Sequence, residues 1–292
     1  MTKLTEERNP VSVGIDAKPI GEILRIINDQ DKMIPLAIEA EIPHIEKAAE
    51  HVYSTLREGG NVFLVGAGTS GRLCVLEASE IPPTFGLPSE RIRGVIAGGD
   101  KAIRFSVEAA EDDRLKVGEE LLGLGLCQDD MVIGVTASGS TPFVLGAVEK
   151  AREIGAKTVG VSCNHDTLLS EIVDVGIGVV VGAEIVAGST RMRAGTAQKM
   201  VLNMITTTAM MKLGLVYDGY MVGVQASNSK LKERSKRMVS AITGASTETT
   251  SKALEASSWD IRVAIVHILT GLSVEEAKRR LGEQGIREII GE

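Results

Sequence analysis

Aromatic side chains are scarce in this sequence: four Phe, three Tyr and one Trp, 3% of 292 residues. That excludes the stacking platforms of single-strand nucleic-acid binders and the aromatic core common in sandwiches. With 43% hydrophobic residues overall, the core must be built from Val, Ile, Leu, Ala and Met. Such a core suits a parallel sheet buried between helices. Cysteine is equally scarce. Cys74, Cys127 and Cys163 are dispersed, odd in number and free of any CxxC pair. A disulfide framework is excluded, and the three read as small core residues in a reducing compartment. The four histidines, at 44, 51, 165 and 267, form no ligand-spaced pair, so no metal is expected. Basic blocks are missing and the net charge is -7, which argues against nucleic acid and against anionic membranes. Long apolar runs are missing too. The stretch 200–216 is interrupted by Asn203, several threonines and Lys212, and the opening "MTKLTEERNP" has no apolar segment. The expectation is a cytoplasmic protein with neither signal peptide nor anchor.

Present instead are short β-branched runs alternating with helical patterns from about 60 to 182. "NVFLVGAG", "RGVIAGG", "DMVIGVTASG", "KTVGVSCN" and "VGIGVVVG" are nearly continuous in apolar residues, as strands buried on both faces are. "GRLCVLEASE", the stretch around "FSVEAAEDDRLKVGEELL" and "TPFVLGAVEKAREIGA" lie between them and read as helices, the last with Pro142 in its first turn. The alternation predicts an α/β fold with a doubly wound parallel sheet and right-handed crossovers. Helical patterns cover 20–58 before this core. A long helix at about 190–214 closes it, and short helices follow Thr247, with Ser273 and Glu276 spaced as a capping box. The division expected is 1–58 as an N-terminal arm and helices, 59–245 as the α/β core, and 246–292 as a small helical bundle.

Two glycine-flanked turns carry the chemistry. "VFLVGAGTSGR" spells G-x-G-x-x-G at Gly66, Gly68 and Gly71, a turn that aims backbone N–H groups and a helix N-terminus at an anion. A dinucleotide site also needs an acidic residue about 20 positions on, at the end of the second strand. Here Glu90 falls too early and Asp100 too late. The second turn, "SGSTP", offers Ser138, Gly139, Ser140 and Thr141; a third, "GSTR", offers Ser189 and Thr190. Strand C-termini in an open parallel sheet share one edge. Hydroxyls on Thr69, Ser70, Ser138, Ser140, Thr141, Ser189 and Thr190 would therefore converge on a compact phosphate, with Gly68 and Gly139 letting the backbone approach. The alternative for each turn is simple helix capping.

Two carboxylates stand out. Glu80 ends a helical pattern just before Pro82 and Pro83, which should hold it at a rigid corner. Glu111, in "VEAAEDD", stands at the end of another helical stretch, with Glu108 three residues earlier on the same predicted helical face. An acid at a helix C-terminus opposes the macrodipole, a weak sign of function against the alternative of a solvated surface.

The phosphate turns resemble those of sugar isomerase (SIS) domains, a fold with a five-stranded parallel sheet between helices. More specifically, "LTEERNP", "GAGTSGRL", "ASEIPPTFG", "IAGGDKA", "EAAEDD", "ASGSTPFVLGA", "GSTRMRAGTAQK", "LNM" and "NSKL" resemble the N-acetylmuramic acid 6-phosphate etherase family. The resemblance implies a cofactor-free enzyme of cell-wall sugar recycling that releases D-lactate and N-acetylglucosamine 6-phosphate. It implies Glu80 as the general acid on departing lactate and Glu111 as the second catalytic carboxylate, working at the C2 proton. It also implies a homodimer with the site near the subunit interface, and an N-terminal arm, including Arg8 and Asn9, that reaches toward the site. The chain departs from the family at Ser140, usually Arg, at Arg193, usually Lys, at Phe143, usually Tyr, and at Cys74, usually Gly. Two other readings use the same turns: a non-catalytic sugar-phosphate sensor like the glucokinase regulator, and an aldose–ketose isomerase.

Overall fold

The computed structural model describes residues 4–107, 109–226 and 228–291; Glu108 lies outside them. Three 3-10 turns (Leu4–Glu6, Pro10–Ser12, Ile15–Ala17) lead into α1 (Ile20–Asp31), α2 (Met33–Glu39) and α3 (Ile42–Arg57). The core then alternates β1 (Val62–Gly66), α4 (Gly68–Phe85), β2 (Ile92–Ile96), α5 (Asp100–Arg104), a 3-10 turn (Ala110–Asp112), α6 (Lys116–Gly123), β3 (Met131–Val135) and α7 (Pro142–Glu153). It continues through β4 (Lys157–Ser162), α8 (Leu168–Ile172), β5 (Val175–Gly178) and α9 (Arg193–Lys212). Helices α10 (Ser229–Thr243), α11 (Thr247–Ala256), α12 (Ile261–Thr270), α13 (Val274–Leu281) and α14 (Ile286–Ile290) follow.

The five strands form one parallel sheet in the order β2-β1-β3-β4-β5, with Val62 level with Ile92 on one side and Met131 on the other. The α/β class read from the sequence holds, as do all five strands. Alternate residues split between two faces. Phe63, Val65, Val95 and Val132 join Val117, Phe143, Val144 and Leu169 in one core. On the opposite face of β2, the backbone of Val75 in α4 lies against Gly94. The strand order reverses between β1 and β3, and the crevice beyond strand ends at such a point is where open α/β sheets bind ligands.

Three expectations change. Helix α4 does not stop at Glu80 but runs through Pro82 and Pro83 to Phe85. The prolines fall in the last turn, where each removes an N–H donor and crowds the carbonyl four residues before it, a cost the surrounding packing has to offset. Buried Ile81 and Phe85 anchor that turn, and Gly86 closes it at φ 72 with its N–H on the Pro82 carbonyl. The stretch around Glu111 is not a continuous helix. Ala109 takes the left-handed conformation, φ 62, which ends helical geometry; Asp113 then accepts the Lys116 N–H as α6 begins. Finally, Cys74 and Cys163 are buried but Cys127 is exposed.

The chain divides into two compact units, one holding residues up to Ser79 together with Ser89–Thr207, the other Glu80–Pro88 and the residues from Thr208 onward. The second has its own apolar core, including Val239, Leu254, Ile261, Ile265 and Ile286. Helices α10 to α13 start on side chains that accept backbone N–H groups: Asn228, Ser246, Asp260 and Ser273, each such cap worth ~1 kcal/mol. Helix α10 was not legible as a separate element. Among the described residues no helix is long and apolar enough to cross a membrane.

Candidate active site

A cavity of about 350 Å³ opens beyond the ends of β1 and β3. Gly68, Thr69 and Ser70 line it from the first turn, Thr136, Ser138, Ser140 and Thr141 from the second, and Thr190 from the third. Glu111 lines it as well. The structure thus gathers seven predicted binding positions and one predicted carboxylate around one hollow. Gly139 and Ser189 are not among its lining residues. Glu80 belongs to the second unit and is solvent-exposed on α4, five residues before the helix ends. The macrodipole argument therefore lapses for Glu80, and for Glu111 too, which sits in the first turn of its 3-10 helix.

The glycines have separable duties. A Cβ on Gly66 would come within 2.7 Å of the Gly71 nitrogen, and one on Gly71 within 2.6 Å of the Gly66 carbonyl oxygen. These two let the strand end and the helix start touch backbone to backbone. Gly139, at φ 70, has the side chain of Thr167 2.3 Å from where its Cβ would be. It shapes the second turn from behind, which is why it does not line the hollow.

The hydroxyls form a local chain. Thr136 Oγ1 lies 2.7 Å from Thr141 Oγ1 and 3.3 Å from Ser138 Oγ, and Ser138 Oγ lies 3.2 Å from Ser140 Oγ. Ser70 donates to Gln198 Oε1 of α9 across 2.8 Å in a buried contact. Helix α7 begins at Thr141 with no side-chain cap, so the N–H groups of its first turn remain available to a ligand. Helix α9 differs. The fully buried carboxylate of Glu184 accepts the N–H groups of Arg193 and Ala194 at 3.0 and 2.9 Å, and this terminus is filled by the protein's own anion. Arg193 is buried beside it and donates to the Ala183 carbonyl; burial holds its guanidinium below the usual arginine range, with Glu184 pulling the other way.

The N-terminal arm reaches the same region through a residue that was not singled out. Leu4 N–H bonds Asn164 Oδ1, and buried Thr5 meets the Asn164 amide, which brings Glu6 to the cavity wall. Asn9 is buried and spends its amide on Ala183 and Gln30, a structural duty, while Arg8 is exposed. Glu6, Thr136, Gln198 and Glu184 were missed by sequence reasoning. Their only signal was membership in the quoted motif stretches or closeness to them. Among the described residues no Lys, Arg or His lines this cavity, and no group of three or more metal-ligating side chains occurs.

Comparison with known proteins gives a consistent picture. The family described as glucokinase regulatory protein N-terminal SIS domain matches residues 44–152. An N-acetylmuramic acid 6-phosphate etherase of Caldanaerobacter subterraneus subsp. tengcongensis is 46% identical over 278 residues, covering 95% of this chain and 91% of that protein. One from Rubrobacter xylanophilus is 46% identical over 289 residues, covering 99% and 96%. One from Mesorhizobium japonicum is 44% identical over 282 residues, covering 97% and 92%. Among solved structures, a phosphoheptose isomerase from Francisella tularensis aligns with a TM-score of 0.50 at 19% identity, over 66% of this chain and 98% of that one. That likeness concerns the fold.

Proposed function

The chain belongs to the N-acetylmuramic acid 6-phosphate etherase family, and from that premise we propose that the cavity between β1 and β3 takes the sugar phosphate and that Glu111 works on its ring. The enzyme is a carbon–oxygen lyase that cleaves the lactyl ether of N-acetylmuramate 6-phosphate. An unactivated ether resists direct hydrolysis. Ring opening exposes an aldehyde at C1 and acidifies the C2 proton. Glu111 takes that proton, the C3–O bond breaks, and the departing lactate oxygen is protonated. Water then adds across the double bond, hydroxyl to C3 and hydrogen to C2, giving N-acetylglucosamine 6-phosphate and D-lactate. The sequence involves no net oxidation, so this reading assigns no cofactor.

The observation that carries the reading is the meeting of Glu111 with the hydroxyls of both turns around one cavity. Ser138, Ser140, Thr141, Thr69 and Ser70, with the uncapped first turn of α7, hold the phosphate by hydroxyl and backbone donors and the helix dipole. A phosphate anchored away from the reacting bond supplies binding energy for orientation. Gly68 and Gly139 give the turns their shape, and Thr190 completes the rim, with Ser189 beside it off the lining. Glu80 is assigned the acid that protonates departing lactate; its support is the "ASEIPPTF" motif and the exposure of its side chain.

The same reading makes the chain a cytoplasmic homodimer. Helix α1 buries none of its residues and leaves Ile20 77% and Leu24 61% exposed, apolar surface that a second copy would cover. The test is release of lactate from N-acetylmuramate 6-phosphate by the purified protein without added nucleotide or metal. Glu80→Gln is expected to stop release while sugar-phosphate binding persists. Turnover at the wild-type rate would remove Glu80 from this role. Binding without product would favour a sensor, and interconversion of fructose and glucose phosphates an isomerase.

A further inference from the structure

Glu111 stands on a wall shared by two cavities. One is the hydroxyl-lined hollow; the other, about 220 Å³, also reaches Ala67 and Gly68. Nothing in the reaction as assigned above uses the smaller one, and its chemistry is different. Arg72, from the start of α4, supplies a guanidinium, while Ala97, Ala102 and Val107 supply a small apolar wall. Arg72 Nε donates to the Ile103 carbonyl at 3.1 Å, which fixes the plane of the group. Its two terminal nitrogens have no protein partner among the described residues. A guanidinium held by one edge with its other donors open is suited to bidentate capture of a carboxylate.

The substrate carries two anions on different parts of the sugar, a phosphate at C6 and a carboxylate on the C3 ether substituent. Hydroxyls and helix-end N–H groups line one cavity; the guanidinium lines the other. The carbon that loses its proton, C2, adjoins the carbon that bears the lactyl group, C3. The base therefore belongs at the boundary between the place of the ring and the place of the lactyl group. Glu111 occupies such a boundary, and Ala109, in its left-handed conformation at φ 62, lines the smaller cavity two residues before it. Strained backbone of this kind persists where the surroundings enforce it, often at functional sites.

We propose that the smaller cavity is the lactyl subsite, with Arg72 pairing the lactyl carboxylate and the alanine–valine wall taking its methyl group. This rests on the reading that the larger cavity holds the sugar phosphate. Arg72 then separates substrate from product, because N-acetylglucosamine 6-phosphate leaves the subsite empty. A site built around a charged hydrogen bond discriminates strongly against a ligand that lacks the partner.

The test compares wild type with Arg72→Gln on three ligands: the substrate, the product as an inhibitor, and a substrate analogue whose lactyl carboxylate is an amide. Removing a charge-assisted pair is expected to lower kcat/KM for the substrate about thirtyfold, with inhibition by the product changed less than about twofold. Wild type should lose a similar factor on the amide analogue, and Arg72→Gln should lose almost nothing further on it, the signature of two groups that contact each other. Equal weakening of substrate and product would place Arg72 on the phosphate or in the fold and overturn the proposal. So would a wild type that handles amide and acid alike, a measurement that stands even if the variant does not fold. A wild type that neither cleaves the substrate nor binds the product would refute the sugar-phosphate reading itself, and the subsite with it.

Discussion

Helices α7 and α9 begin in similar language, a serine–threonine turn after a sheet strand, and Thr141 and Thr190 line the same cavity. Yet one terminus is open and the other is closed. Helix α7 has no side-chain cap; α9 has the buried Glu184 carboxylate on two of its first N–H groups. The residue that decides between them lies nine positions before Arg193, in a loop with no recognisable capping pattern. A hydroxyl-rich turn thus marks a helix start, and only the tertiary partner determines whether a ligand can use it. In the proposed reading the anion is held by the first and second turns, and the third contributes a wall.

The largest effect expected belongs to the open side. Glu111→Gln should lower lactate release by about 10³-fold, within the range of a lost general base, with binding of N-acetylglucosamine 6-phosphate unchanged; steady-state assay and calorimetry check it. On the closed side, Glu184→Gln should leave phosphate binding intact but destabilise the protein by ~2 kcal/mol, the scale of hydrogen bonds to a buried charge. A fall in melting temperature of roughly 4–8 °C follows for a chain of this size. If Glu184→Gln instead creates a second phosphate site with no loss of stability, the closed terminus is misread. A smaller contrast compares two serines. Ser138→Ala should weaken sugar-phosphate binding about fivefold, one net hydrogen bond, whereas Ser189→Ala, off the cavity lining, should not; titration of both variants decides.

A last effect, confined to alkaline pH, is a pH dependence. Burial, and secondarily the Glu184 charge, push the Cys163 thiol from its ordinary 9.0 up to about 12. Because the folded value is raised, the thiol's contribution is fully present below about pH 9 and is lost as pH rises toward 12. Cys163→Ala should flatten the alkaline limb of the stability curve in urea unfolding while leaving the region below pH 8 parallel to wild type.

Much of the fold was legible because buried parallel strands leave no other pattern. "NVFLVG" and "DMVIGV" are β-branched runs cut off by glycine and hydroxyl turns, and each is a strand. The helix ends were harder. Pro82 and Pro83 read as a stop, but buried Ile81 and Phe85 anchor the final turn and carry the helix through them. The segment holding Glu111 has helical composition, yet Ala109 breaks it with a backbone angle that no alanine announces in sequence. Of the site, Thr69, Ser70, Ser138, Ser140, Thr141 and Thr190 could be named, since strand topology alone sends those turns to one edge. Gln198 and Glu184 could not, because their meaning lies in partners 128 and nine residues away. Glu6 was hidden for the same reason: its place depends on Asn164 holding the arm.

Isotope incorporation tests the central assignment most directly. N-acetylmuramate 6-phosphate is turned over in deuterated water and the released N-acetylglucosamine 6-phosphate is read by proton NMR and mass spectrometry. If Glu111 removes the C2 proton of a sugar held by the hydroxyl turns, the product carries one deuteron at C2, and Glu111→Gln abolishes that exchange. Product formed with its C2 proton retained, or exchange that continues at full rate in Glu111→Gln, would contradict it.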